Sequence, residues 1–468
     1  MHRLNGEDAG FLAMELPIQA MNTQAVGTLS ATDGAAPLTL ADVRAHVEDR
    51  LDQLPSFRWR IVPVPFGLHQ PVCVRDPDFD LDFHLREATL EPGESLDDRF
   101  AALAERHLDR RHPLWQLTLV HGLPEGRQAL ILKYHHCLAD GVAALTTFAR
   151  VFSDAPTEHI PGEPVPWSPE PIPGPIALIV GAVLDHLRAL LRLPALTRRT
   201  RRGVAAARRR RERSTVAVPD FSGAAPNSAL NDAFSPARAY ARASLPLAAV
   251  KAVKDRTGTT LNDVVLATVA GALRGYLAER GELPELPLLA SVPVSYEAPD
   301  APLRQAGNRF WSFTTTLATD VADPAERLRT ISETAAEAKA QLAELGPDLL
   351  PTWLDAVPPL VSEPGARALV ERLRAGGDRV DANVLISNIR GPAEPWTLRG
   401  RTVTDLYIDG PPSNGVGLNV MLWSYGDRVL FGVLAFADAL RAPVALGAWF
   451  DRAFAELQHA TVASHAPR

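Results

Sequence analysis

The sequence predicts an α/β fold in two parts, and three observations carry that expectation. Helical and strand-like patterns alternate through the first third of the chain. A proline-rich break follows at 155–175, and the alternation then resumes. At 468 residues the chain exceeds one ordinary core, so two or three domains are expected.

In chain order, 39–53 has helical spacing, 57–62 reads as a strand and 96–108 as a second helix. Two further strands, 117–120 and 129–134, flank the turn Leu123-Pro124-Glu125-Gly126. The eight prolines between Pro156 and Pro175 exclude a continuous helix or a central strand, which leaves a semi-rigid connector. An apolar helix is expected at 176–193, started by Pro175 and stopped by Pro194. Gly181, Asp185, Arg188 and Arg192 form its narrow polar stripe. Behind it lie nine arginines, from Arg198 to Arg213. Further on, Thr260 caps a helix that runs to about Arg280, with Asp263 in the capping-box position. Strands are expected at 288–294, 310–317, 382–389, 417–423 and 429–436, and helices at 324–345 and 442–462. No solenoid period is present.

A hydrophobic content of 46% with 22% charged residues is that of a soluble globular chain. A net charge of −7 argues against nucleic acid as the partner. Two cysteines distant in sequence, Cys73 and Cys137, make no disulfide framework and point to a reducing compartment. The first residues lack the apolar core of a signal peptide. The longest apolar run, 176–184, is shorter than the roughly 20 residues of a membrane span. A cytoplasmic chain, soluble or peripherally bound, is expected.

The stretch with the most chemistry is HHCLADG at 135–141. It sets His135, His136 and Asp140 at a strand end, followed by Gly141, which permits a tight turn. An imidazole so placed serves as a general base near neutral pH. Adjacent strand residues point to opposite faces, so His135 and His136 do not share a metal, and no metal site is expected.

Several segments together resemble the bacterial wax ester synthase/diacylglycerol acyltransferases, within the superfamily of CoA-dependent acyltransferases and condensation domains. They are Arg3-Leu4-Asn5-Gly6 with Asp8-Ala9 and Phe11-Leu12; the stretch 108–115 ending in Pro113-Leu114-Trp115; the HHxxxDG motif; Asn262-Asp263; Pro293-Val294-Ser295 with Gly307-Asn308; and Ser387-Asn388 before Gly391-Pro392. The chain departs from the family pattern at Ile389-Arg390, where Val-Pro is usual, and at Ala20-Met21-Asn22-Thr23, which lacks a His.

The resemblance implies two chloramphenicol-acetyltransferase-like α/β domains facing each other, with an active-site tunnel between them and a long crossover joining them. The expected division is 1–160 for the N-terminal domain carrying HHxxxDG, 161–218 for the crossover, and 219–468 for the C-terminal domain. It also implies transfer of a long-chain acyl group from acyl-CoA to diacylglycerol, and to fatty alcohols, with no cofactor. His136 is the expected base, with no acyl-enzyme, and His135 supports it. Against a buried structural histidine, the company of Asp140, Gly141 and the PLW segment favours the base. Asp140 is expected to pair with an arginine, for which Arg58 and Arg60 are candidates. Asn262, in the first turn of a helix, is a candidate oxyanion donor. Pro113, Leu114, Trp115, Asp263, Ser387 and Asn388 are candidates for lining the substrate site. Two rivals are a relative that acylates another alcohol or amine, and a non-catalytic lipid-inclusion protein. The apolar helix with its arginines is expected to dock residues 176–213 on the inner membrane or a lipid inclusion. The competing expectation is a packed helix followed by a disordered basic loop.

Overall fold

The computed structural model describes the chain apart from residues 32–35, 156–166, 220–224, 232–234, 299–300, 302–303, 376–379, 414 and 464–468. Most of the expected proline-rich connector thus lies outside the described residues.

The N-terminal half runs β1 (His2–Arg3), α1 (Gly6–Met14), β2 (Asn22–Leu29), α2 (Leu40–Glu48), β3 (Trp59–Val62), β4 (Val72–Arg75) and α3 (Leu81–His84). It continues with β5 (Leu85–Thr89), α4 (Leu96–Ala104), β6 (Trp115–His121), β7 (Gln128–His135) and α5 (Gly141–Phe152). The crossover is one helix, α6 (Pro175–Arg213). Then come β8 (Arg238–Pro246), α7 (Leu247–Thr257), α8 (Leu261–Glu279), β9 (Leu289–Ser295), β10 (Phe310–Thr316), α9 (Pro324–Leu345), α10 (Leu349–Leu354) and α11 (Pro359–Arg374). Last are β11 (Val384–Ile389), β12 (Thr397–Leu398), β13 (Arg401–Asp409), β14 (Leu418–Tyr425), β15 (Arg428–Phe436) and α12 (Pro443–Ala463).

Two six-stranded mixed sheets organise these elements, in the orders β12-β13-β2-β7-β6-β5 and β10-β9-β11-β14-β15-β8. β7 sits centrally between β2 and β6 and is buried along its whole length, which is why 129–134 is so apolar. Its partner β2 is equally buried but carries Asn22, Thr23, Gln24 and Thr28, so apolar periodicity does not reveal it. In the second half, α8 is buried on most sides and begins at the expected Thr260–Asp263 capping box.

The expected domain boundary needs correction. β12 and β13 come late in the chain yet complete the N-terminal sheet. β13 runs antiparallel to β2, from Val403 opposite Leu29 to Asp409 opposite Gln24. The loan is fixed by side chains of the other sheet. Trp423 Nε1 donates to Leu406 O at 2.6 Å, and Tyr425 Oη donates to Val403 O at 2.8 Å. The region 219–468 is therefore not one separate domain.

The crossover also differs from expectation. α6 passes through Pro194 and includes the whole arginine-rich stretch, so that stretch is neither a linker nor a disordered loop. Pro194 is exposed and next in space to the exposed Leu190, whose carbonyl it leaves unbonded. The opposite side of α6 is packed. Gly203 sits so close to α9 that a Cβ would lie 2.2 Å from Leu345 O, and Arg210 pairs with Glu337 at 2.9 Å.

The loaned strand provides a test. A Cβ on Gly432 of β15 would lie 2.3 Å from Ile408 O of β13. Gly432→Ala must push the two sheets apart and is expected to cost about 1–3 kcal/mol, read as a lower Tm. An unchanged Tm would contradict the close approach.

Candidate active site

The HHxxxDG motif occupies the exit of β7 and the start of α5. His136 N donates to Met21 O at 2.8 Å, and His135 N donates to Leu114 O at 3.0 Å. Both backbone groups are therefore spent on the neighbouring chain segments rather than on substrate. The His135 ring is enclosed. Its Nδ1 accepts from Cys137 N at 3.1 Å and its Nε2 lies 3.1 Å from Glu15 Oε2. It supports the turn.

Residue 136 keeps partial exposure, unlike His135. The Phe11 ring of α1 stacks on it at 4.0 Å, tilted by 17°. Burial lowers the His136 pKa to about 4, although its own carbonyl and the Asp140 charge pull upwards. The imidazole is thus neutral at physiological pH, the form a general base requires. Nδ1 is buried without a well-formed partner, which leaves Nε2 as the nitrogen available to substrate.

Asp140 saturates its carboxylate. Oδ1 accepts from Val142 N and Ala143 N at 3.1 and 3.0 Å, capping α5. Oδ2 accepts from Arg304 Nη2 at 2.7 Å and Arg309 N at 2.8 Å. The arginine partner is Arg304, not Arg58 or Arg60. Arg58 turns to Asp52, and Arg60 to Asp76 and Asp78. Neither candidate was favoured by proximity in sequence, because the true partner comes from the opposite half of the chain.

The segment that brings Arg304 also pins the motif backbone. Gly307 N donates to Leu138 O at 2.6 Å, and Asp140 N donates to Gly307 O at 3.2 Å. Gly307 has φ +83°, which explains the glycine. Next to it, Asn308 Nδ2 donates both to His136 O at 2.9 Å and to Asp8 Oδ1 at 2.7 Å. Asp8 Oδ1 also accepts from Asn308 N at 2.7 Å, and Asn5 caps α1. Asn5, Asp8, Phe11 and Asn308 thus form the seat of His136. Their motifs were visible in the sequence only as part of the family resemblance, without a role.

Gly141 has a different reason from the expected turn. It opens α5 with ordinary backbone, but a Cβ would lie 2.2 Å from Ile389 Cδ1. The glycine admits a side chain from the end of β11. Beside Ile389, the exposed Asn388 donates to Asn262 Oδ1 at 3.4 Å. That leaves the Asn262 amide hydrogens pointing away from this bond at the start of α8. The link from Asn262 to the motif therefore runs through Asn388, Ile389 and Gly141. Ser387 lies in β11 opposite Met421.

Other candidates are structural. Asp263 is buried, completes the α8 cap and accepts from Ser332 Oγ at 3.0 Å. Pro113, Leu114 and Trp115 are buried in the N-terminal half. Trp115 donates from Nε1 to Phe57 O and stacks on Phe57 and His84, with ring centres 4.1 and 4.4 Å away. The PLW segment holds the motif strand from behind, through Leu114 O, which accepts from His135 N.

Burial raises the Glu7 carboxyl to about 8 and the Asp8 carboxyl to about 7. One oxygen of Glu7 is reached by Phe310 N at 3.4 Å, and the other, Oε2, is buried without a partner.

Two tests follow from this geometry. Arg304→Met removes the counter-charge of the buried Asp140 and is expected to cost about 3–5 kcal/mol, with partial recovery in Arg304→Lys, both read by thermal unfolding. Equal Tm values for wild type and Arg304→Met would remove Arg304 from this role. The second concerns pH. Folded Glu7 holds a proton that the unfolded chain releases above its ordinary value of 4.5. Stability from this group is full below that value and is lost as pH rises towards about 8. Glu7→Gln removes the loss, so its Tm should decline less than that of wild type from mildly acidic to mildly alkaline buffer. Parallel Tm curves would count against it.

With the geometry in place, comparison with known proteins locates the family. The wax ester synthase/diacylglycerol acyltransferase catalytic domain matches residues 4–265, and the WS/DGAT C-terminal domain matches 306–458. A Mycobacterium tuberculosis protein provisionally named a diacylglycerol O-acyltransferase is 36% identical over 465 residues, 98% of this chain and 96% of that protein. A second such M. tuberculosis protein is 34% identical over 476 residues, covering 100% of this chain and 99% of its own. Among solved structures, the wax ester synthase/diacylglycerol acyltransferase of Marinobacter aquaeolei VT8 superposes with a TM-score of 0.67 at 28% identity, over 99% of this chain and 100% of that one. The starter condensation domain of rhizomide synthetase shares the fold, with a TM-score of 0.55 at 13% identity over 98% and 95% of the two chains. The chain, with its two facing α/β halves and its motif at their junction, belongs to the wax ester synthase/diacylglycerol acyltransferase family.

Proposed function

We propose that this protein moves a long-chain acyl group from acyl-CoA to the free hydroxyl of diacylglycerol, and also to fatty alcohols, with His136 as general base. His136 Nε2 takes the hydroxyl proton as the alcohol oxygen attacks the thioester carbonyl. The tetrahedral intermediate then collapses, the carbon–sulfur bond breaks, and the imidazolium returns its proton to the departing thiolate. No acyl-enzyme forms, because both substrates meet at one imidazole and the encounter becomes an oriented one. Asn262 is the proposed donor to the oxyanion, from its free amide hydrogens at the helix start. Acyl-CoA is a substrate, and the reaction as proposed uses no metal or redox cofactor.

The observation that carries this proposal is the seat of His136. Its ring stacks on Phe11 and its carbonyl is held by Asn308 at the junction of the two halves, and burial lowers its pKa, which favours the neutral form. Family membership supports the same chemistry. Among the described residues no helix is long and apolar enough to cross a membrane. Because diacylglycerol is insoluble, the enzyme is proposed to work in the cytoplasm at the surface of the inner membrane or of a lipid inclusion.

The test is release of CoA thiol from palmitoyl-CoA with diacylglycerol or hexadecanol offered separately. His136→Ala is expected to lose about 10²–10⁴-fold in rate. A variant that keeps most of its rate would take His136 out of the mechanism. Wild-type release with neither acceptor would redirect the activity to a different hydroxyl or amine.

A further inference from the structure

We infer that the outward face of α6 is a docking surface for a bilayer containing anionic phospholipid, its first half meeting acyl chains and its second half phosphate headgroups. The inference rests on the proposal that the acceptor is a lipid, and it adds which residues meet the lipid surface.

The face is defined by spacing. Ile176, Val180, Val183, Leu187, Leu190 and Leu191 are all exposed, from 50% for Val183 to 83% for Leu191. At about 100° per residue, they fall on one side of the helix. Leu178, Ala182, Leu196 and Gly203 are buried and fall on the opposite side, where α6 packs. A folded chain rarely leaves so many aliphatic side chains in one unbroken stripe without a partner.

The same side continues past Pro194 in basic form. Arg198, Arg202, Arg209 and Arg213 recur at intervals of four, seven and four, and all are exposed. Among the described residues they make no ion pair. Arginines on the packed flank behave differently: Arg199 pairs with Asp348 and Arg210 with Glu337. From His186 to Arg211 the helix carries no acidic residue, and the first after it is Glu212. One helix face is therefore apolar for its first half and cationic for its second. That division suits an interface in which acyl chains lie beside phosphates.

A second apolar feature adjoins the first half. Phe66 is 77% exposed at the tip of a turn with φ +60°, an unfavourable backbone for a bulky residue. The turn leans on both neighbours. Leu68 O is 2.6 Å from His186 Nε2 of α6, and a Cβ on Gly67 would lie 2.9 Å from Leu360 N of α11. Leu360 and Val361 are themselves 57% and 59% exposed. A lipid surface accounts for the whole set. A soluble anion alone leaves the aliphatic stripe unexplained.

The full-length protein is tested by flotation with vesicles of phosphatidylcholine alone and with added phosphatidylglycerol. One variant carries Leu187→Ser, Leu190→Ser and Leu191→Ser, and another Arg198→Gln, Arg202→Gln and Arg209→Gln. Hydrolysis-free transfer from decanoyl-CoA to hexanol, both soluble, is measured in parallel. Wild type is expected to float with the anionic vesicles and to detach as salt rises. Each arginine removed is expected to lower that partitioning about fivefold. The serine variant is expected to lose it on both vesicle types. Transfer between the soluble substrates is expected to stay at the wild-type rate in both variants, which also reports that they fold. Variants that float like wild type overturn the inference. So does wild-type flotation that ignores charge and salt, or a wild-type dimer in sedimentation that the serine variant dissolves. A wild type that floats but transfers nothing between soluble substrates sinks the catalytic proposal and leaves this surface standing.

Discussion

The carboxylate of Asp140 is the interaction on which the site depends. It is buried, and a buried charge is tolerated only when its partners replace the water it has lost. Two partners belong to α5, whose first turn it caps, and two belong to the segment around Arg304 from the other half of the chain. All its acceptor positions are thus used. Asp140 cannot also accept a proton from the imidazole in the manner of a triad acid. Its contribution is to hold the helix start, the motif turn and the opposing loop in one place. Arg304 is in turn neutralised by Glu297 at 2.7 Å, so the charge is passed outward rather than left bare.

The same loop holds His136 from a second side. Asn308 reads the His136 carbonyl with one amide hydrogen and the Asp8 carboxylate with another. Asp8 sits one turn before Phe11 on α1, so the helix that receives Asn308 also presents the ring that stacks on His136. The first residues of the chain thereby become part of the site although they carry no chemistry of their own. The burial that confines the ring also lowers its pKa and favours the neutral form.

Much of this was legible in the sequence where the signal is local. The capping box at Thr260 and Asp263 and the strand at 129–134 depend on neighbours a few residues away, and the structure has both. The histidine motif stood out because polar residues interrupt an apolar run. What stayed hidden is non-local. Nothing near residue 401 says that β13 completes a sheet begun near residue 22, since either sheet would accept its alternation. Arg58 and Arg60 looked equal to any other partner for Asp140 because the choice is made by a loop more than 160 residues away. Asp263 and the PLW segment were placed on the substrate side by resemblance. In the structure Asp263 completes a helix cap and Trp115 is hydrogen-bonded in a core. Pro194 misled for a physical reason. A proline inside a helix removes one backbone bond, yet α6 continues through it along an exposed stretch.

The non-local contacts also connect the crossover helix to the base. Thr200 of α6 accepts from Trp353 Nε1 of α10 at 3.0 Å. Trp353 is followed by Leu354, whose backbone lies against Gly6 so closely that a Cβ there would approach to 2.1 Å. Asp355 then accepts from Gly6 N at 2.6 Å, at the first residue of α1. One turn further along α1 is Phe11, stacked on His136. At its other end α6 is tied to the N-terminus directly, by Arg3 and Asp185 at 3.1 Å. Each link is a hydrogen bond, an ion pair or a close backbone approach. These contacts run without a gap from the crossover helix to the ring that stacks on His136.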